Sequence, residues 1–157
     1  MISATTAAQA VNNVRAQFVA IHEEIYGTSL WRTLRRLIPL PGLFEAIPYD
    51  KHAVRLGALV HALQGVREDT GRPRGPNLRP ANQDFFAQLD AYVGALLDAM
   101  GRLRDICVAM QAKAEGSPGP TFAEYNVAVA AYEAARRDCS RLGGPLQLAF
   151  SRAASEV

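Results

Sequence analysis

The residues with the clearest catalytic potential in this sequence are Arg55 and His61, which are separated by five residues. A histidine titrates near neutral pH, so it can act as a general base on a hydroxyl group. An arginine can hold a phosphate through two parallel hydrogen bonds. Acid–base chemistry at a phosphate ester is therefore one hypothesis for this chain. The alternative is that His61 is a surface residue of an amphipathic helix.

The same two residues resemble the Arg-x4–6-His motif of HEPN domains, which are helical ribonucleases. The resemblance implies that Arg55 and His61 are catalytic. It covers these two residues alone, and the position after the arginine, often polar in that family, is Leu56 here. Arg15 and His22 fit the same spacing, and this composition predicts about one match by chance. We therefore assign no family from the motif.

Other catalytic and metal-binding motifs are missing from the sequence. A carboxylate-bridged metal site in a helical bundle uses Glu-x-x-His, and the chain contains none. It also lacks a glycine-rich phosphate loop before a helix and an H-E-x-x-H zinc motif. A Ser-His-Asp triad can assemble from distant positions, so the sequence lacks only a local signal for one. The sequence favours a non-enzymatic protein without cofactor or metal.

The first candidate binding surface is basic and aromatic. Residues 31–80 carry nine basic and four acidic side chains, whereas the segments on either side are mildly acidic. An acidic protein partner, a nucleic acid or an anionic membrane surface would suit such a region. Arginine stems that cover apolar surface would explain it without a ligand. The candidate residues are Trp31, Arg32, Arg35, Arg36, Phe44, Arg72, Arg74 and Arg79.

The second candidate surface is a row of small residues in the third predicted helix. Ala87, Gly94, Gly101 and Val108 recur every seven residues, about 130° from the main apolar stripe. Glycine in a helix costs about 1 kcal/mol relative to alanine, so close approach of another helix would explain its use. That helix is either a neighbour within the same bundle or part of a second copy of the chain.

Apolar residues at alternating three- and four-residue intervals predict the elements that position these surfaces. The pattern predicts an all-α, antiparallel (up-down) bundle of four principal helices with two short extra segments, in one domain over residues 1–157. Asp50 and Asn82 are predicted helix caps, and Thr121 with Glu124 a capping box. The predicted helices are 4–26, 29–38, 51–69, 82–115, 121–142 and 145–155, with a basic Pro/Gly/Arg linker at 71–80.

The short connector at 116–120 predicts that the last two long helices form an antiparallel hairpin. Centring the hairpin near Pro118 sets Cys107 level with Val129 and Cys139 level with Leu97. The two sulfurs would then lie on the order of 15 Å apart, too far for a disulfide. We therefore predict two buried free thiols.

The sequence has no apolar run long enough to cross a membrane and no basic-then-apolar leader. Its two cysteines form no C-x-x-C pair, so a cytoplasmic protein is expected. The hypothesis that fits these observations best is a helical protein–protein interaction or scaffold module that self-associates or binds another protein. The alternative is a nucleic-acid-binding protein or a HEPN-like ribonuclease that uses the basic middle third.

Overall fold

The computed structural model describes residues 3–27, 47–71 and 78–155. These residues form four helices and no strand: α1 (Ala4–Tyr26), α2 (Tyr49–Gly71), α3 (Pro80–Ala114) and α4 (Phe122–Ser155). Their contacts are those of a four-helix bundle, which confirms the predicted all-α fold. The predicted helix at 29–38 and most of the predicted linker at 71–80 lie outside the described residues.

Each helix packs against the next one in the chain, and α4 returns to pack against α1. Across the centre of the bundle α1 also contacts α3, whereas α2 and α4 do not touch. The predicted apolar stripes form the core, although Phe85 of α3 is fully buried and the predicted Phe86 only half-buried. The largest fully buried side chains include Ile21, Leu56, Leu63, Phe85, Leu89, Leu96, Met100, Leu103 and Tyr132.

The hairpin of α3 and α4 is the most extensive contact in the fold. The rings of Phe85 and Phe150 are 5.7 Å apart, and Tyr92 lies beside the backbone of Gly143. Continuing this register sets Cys139 beside Leu96, one residue from its predicted level. Both thiols are free, as predicted, but Cys139 is only partly buried.

Local sequence determines both ends of the connector between α3 and α4. Gly116 adopts a positive φ of 83°, which glycine reaches without a steric penalty. Its N–H donates to the Lys113 carbonyl and that of Ser117 to the Ala112 carbonyl, the paired bonds of a Schellman helix end. The predicted capping box is confirmed: the Thr121 amide donates to Glu124 Oε2, and the Glu124 amide donates to Thr121 Oγ1.

The helix boundaries correct three sequence predictions. Helix α2 begins at Tyr49, so Asp50 lies in its first turn and is not the cap. Helix α3 begins at Pro80 with Arg79 as its N-cap residue, so Asn82 is not the cap. Proline suits the first turn because its missing N–H has no helical partner there.

Helix α4 is continuous from Phe122 to Ser155 with Pro145 inside it, so the predicted division into 121–142 and 145–155 is wrong. A proline clashes with the Cβ of the residue before it when that residue is helical. Gly144 has no Cβ, which relieves part of this clash.

Candidate functional site

Helices α1 and α4 make their closest contact around Tyr132, a fully buried residue of α4. The edge of the Phe18 ring points at the Tyr132 ring, with 6.4 Å between the ring centroids. The Tyr26 ring stacks on the Tyr132 ring, with 6.0 Å between the centroids. A buried hydrogen bond of 2.8 Å joins His22 Nδ1 to the Tyr132 hydroxyl. These residues attach the second half of α1 to α4.

Beyond Phe18, towards the start of α1, a groove of about 910 Å³ separates the two helices. Its α4 wall contains Ser140, Gly143 and Gly144, and its α1 wall contains Ala8. These side chains are too short to fill the space between the helices. The groove is therefore open to solvent along one side, and we name it the α1–α4 groove.

The floor of the α1–α4 groove is one face of α3. It consists of Phe85, Leu89, Tyr92 and Leu96, which are at most 6% exposed. Phe150 and Leu146 of α4 extend this apolar surface at the end of the groove near Phe85. The groove thus offers an apolar strip between two helical walls.

The polar side chains of the α1–α4 groove are neutral or positively charged. Arg15 projects from α1 and Arg136 from α4, and no Asp or Glu lines the groove in the described part of the chain. Arg136 pairs with Glu133 at 3.1 Å on the same helix and lies over the Tyr132 ring. Arg15 has no ion pair with another described residue. The remaining polar lining residues are Thr5, Gln9, Asn12, Ser140 and Gln147.

Tyr92 and Cys139 of the groove are held in their neutral forms. Burial raises the pKa of the Tyr92 hydroxyl, and the nearby Arg15 opposes this shift in part. Burial also raises the pKa of the Cys139 thiol to about 11. A thiol is a nucleophile only as the thiolate, so Cys139 is poorly suited to covalent catalysis at neutral pH. The groove's chemistry favours binding.

The structure separates the two residues of the predicted Arg-His motif. Arg55 of α2 donates to both carboxylate oxygens of Glu24 in α1, at 3.0 and 3.3 Å. His61 is exposed. Six residues along a helix rotate a side chain by about 600°, which leaves the two positions about 120° apart around the axis. Neither residue lines the α1–α4 groove.

The predicted basic and aromatic surface lies almost entirely outside the described residues. Arg79 is its one described member, an exposed residue at the start of α3. The structure therefore leaves Trp31, Arg32, Arg35, Arg36, Phe44, Arg72 and Arg74 as sequence-based predictions.

The row of small residues on α3 runs along the edge of the core rather than through it. Gly94 faces the guanidinium group of Arg67 in α2, at ordinary contact distance, and that group pairs with Asp90 at 2.7 Å. A Cβ added at Gly101 would meet nothing within 4 Å, and Ala87 and Val108 are exposed. Part of this row thus faces α2, and the rest is open.

Within the described ranges, no group of three or more His, Cys, Asp or Glu side chains could hold a metal ion. None of the described helices is long and apolar enough to cross a membrane.

Sequence reasoning missed the α1–α4 groove and its residues Arg15, Tyr92 and Gly143. The one signal in the sequence is the run Gly143-Gly144-Pro145, which puts small residues inside a long apolar repeat. Comparison with protein families, curated proteins and solved structures finds no match for this chain.

Proposed function

We propose that this protein is a non-enzymatic interaction module that binds a helix of a partner protein in the α1–α4 groove. The observation that carries the proposal is the open groove between α1 and α4, which lies over the apolar face of α3 and next to the Tyr132 contact. An amphipathic helix laid into an apolar groove is a recurring mode of peptide recognition.

The dimensions of the groove support a helical ligand. Its α1 wall runs from Thr5 to Val19, which is about 20 Å at 1.5 Å per residue. A helix of that length contains about 14 residues, and a cylinder of about 10 Å diameter encloses roughly 1,600 Å³. The groove volume of about 910 Å³ would therefore hold about half of such a helix. The other half would stay in solvent, as an amphipathic helix requires.

The lining also supports a helical ligand. Apolar ligand side chains at i, i+3, i+4 and i+7 would pack on Val19, Leu146 and Phe150, apolar lining residues that remain at least partly exposed. The small residues Gly143 and Gly144 would let the ligand backbone approach α4 closely, because no side chain separates the two helices. The amide groups of Gln9 and Gln147 at the rim could form hydrogen bonds with its polar face.

A selection from a peptide library tests the proposal directly. A displayed library of 14-residue amphipathic helices, with randomised apolar and polar faces, is selected on the full chain. Asn12 and Asn13 provide a matched pair of variants, because both are exposed on α1 but only Asn12 lines the groove. Asn12→Trp fills part of the groove, whereas Asn13→Trp leaves it open.

We expect selected peptides to bind the wild type and Asn13→Trp equally, and Asn12→Trp about tenfold more weakly or worse. Circular dichroism of each variant verifies that its fold is intact. A selection that yields no peptide sensitive to Asn12→Trp would contradict the proposal.

A further inference from the structure

The two cations of the α1–α4 groove lie at the same end of it. Arg15 is one helical turn before Phe18 in α1, and Arg136 is one turn after Tyr132 in α4. Because Phe18 and Tyr132 are in contact and the helices are antiparallel, the two arginines flank the groove just beyond that contact. The opposite end, around Phe85 and Phe150, carries no charge; it combines these two rings with the neutral polar residues Thr5, Gln9 and Gln147.

The immediate surroundings leave this positive charge largely unmatched. Arg15 has no carboxylate partner among the described residues, and Arg136 pairs with the carboxylate of Glu133 at 3.1 Å. Both partners of the Arg136 pair remain more than a third exposed, so a second carboxylate can reach the guanidinium group. The groove therefore combines a cationic end with a longer uncharged section that includes Leu146 and Phe150.

We propose that the ligand of the α1–α4 groove is a partner-protein helix with two carboxylates in one terminal turn and apolar side chains along the rest of its buried face. Arg15 and Arg136 bind the carboxylates, and the partly exposed Leu146 and Phe150 contact the apolar side chains. This inference rests on the proposed function, since it specifies the chemistry of the helix bound there.

Charge also argues against the chain's own segment 28–46 as the occupant. That segment carries three arginines and one glutamate, so its net charge has the same sign as the cationic end of the groove. It contains Trp31, the single tryptophan of the chain, which makes its displacement detectable by fluorescence.

The first test reads the sequences of the peptides selected on the groove. Peptides sensitive to Asn12→Trp should be enriched in Glu and Asp within one terminal turn, and depleted of Lys and Arg there. Groove-dependent peptides without this enrichment would overturn the inference while leaving the proposed function standing. If no selected peptide depends on the groove, both the inference and the proposed function are contradicted.

The second test compares three versions of one selected peptide, with Glu, Gln or Lys at the two terminal-turn positions. An exposed ion pair changes an equilibrium by up to about fivefold, so two pairs should make the Glu version about tenfold tighter than the Gln version. The Lys version should bind more weakly than the Gln version. The differences in affinity between the three versions should shrink in high salt, which screens exposed charges. Equal binding of the three versions would overturn the inference.

Single arginine variants test whether Arg15 and Arg136 cause the preference for the Glu version over the Gln version. Arg15→Gln and Arg136→Gln should each reduce the preference for Glu over Gln severalfold. The exposed neighbour Arg137 does not line the groove, so Arg137→Gln should leave the preference unchanged. Glu133→Gln frees Arg136 and should strengthen binding of the Glu version. An equal loss of preference in Arg137→Gln would show a general charge effect and overturn the assignment.

Tryptophan emission separates a partner helix from the chain's own segment. Binding of a peptide without tryptophan should leave Trp31 emission unchanged. A shift that saturates together with binding would identify segment 28–46 as the displaced occupant and overturn the inference. Binding of dodecanoate at the groove, without binding of any Glu peptide, would assign the groove to a small amphiphile instead.

Discussion

Replacing Tyr132 by Phe removes one hydroxyl from the contact that attaches α1 to α4. The hydroxyl hydrogen-bonds His22 Nδ1 at 2.8 Å, and both residues are buried. The Phe ring keeps the edge contact with Phe18 and the stacking on Tyr26. The substitution therefore leaves no large cavity and isolates the hydrogen bond.

The expected cost follows from the burial of that bond. Removing one partner of a buried hydrogen bond leaves the other unsatisfied, which costs about 1–3 kcal/mol. For a chain of 157 residues, each kcal/mol lowers the Tm by about 2–4 °C. Tyr132→Phe should therefore lower the free energy of unfolding by about 2 kcal/mol and the Tm by about 4–8 °C.

Urea denaturation followed by circular dichroism measures this change, and Tyr92→Phe is the matched control. The Tyr92 hydroxyl makes no hydrogen bond to another described residue, so its removal should change the free energy of unfolding by less than about 0.5 kcal/mol. Hydrogen exchange localises the effect. In Tyr132→Phe the amides of residues 18–26 should lose more protection than those in the middle of α3, because the bond ties α1 to the bundle.

A Tyr132→Phe protein as stable as the wild type would refute this reasoning. Equal losses in Tyr132→Phe and Tyr92→Phe would refute it as well, since the effect would then belong to tyrosine hydroxyls in general. Either result would mean that the hydrogen bond between His22 and Tyr132 does not hold α1 on α4 at this end of the groove.

Three further predictions concern the core and the helix surfaces. Gly101→Ala should raise the Tm by about 2–4 °C, because alanine favours helix and the added Cβ contacts no other atom. Reduced stability together with loss of a dimer in light scattering would instead support the predicted self-association face. Burial lowers the pKa of His52 below 6.5 despite the nearby carboxylate, so the unfolded chain gains a proton first as the pH falls. Stability should therefore fall as the pH drops below about 6.5, the ordinary pKa of a histidine in the unfolded chain, with a shallower slope in His52→Gln. Burial raises the pKa of Cys107 and Cys139 to about 11, so both thiols should react slowly with Ellman's reagent in the native protein and rapidly after denaturation; fast native reaction of both would contradict these raised pKa values.

Periodicity predicted the fold because the stripe that each helix buries is a property of its own sequence. The capping box of Thr121 and Glu124 and the connector at Gly116 were predictable for the same reason, since each depends on residues a few positions apart. The hairpin register followed from the length of the connector, which leaves little freedom to two long helices.

The α1–α4 groove could not be predicted in this way. It depends on which short side chains face one another across two helices at opposite ends of the chain. The run Gly143-Gly144-Pro145 predicts a helix break because proline lacks an N–H donor and its ring clashes with the preceding turn. Helix α4 nevertheless continues through Pro145, and Gly144, which has no Cβ, relieves part of the clash. Gly143 and Gly144 thereby become part of the groove wall.

The central claim is that a partner helix binds in the α1–α4 groove, and an NMR titration of the full chain tests it most directly. A selected Glu peptide is added to 15N-labelled protein, and backbone amide shifts are mapped on the helices. The largest changes should occur at groove positions such as Asn12, Ser140 and Gly144, with small changes at Asn13 and Arg137. Shifts concentrated instead along Ala87–Val108, with the groove amides unchanged, would contradict the claim.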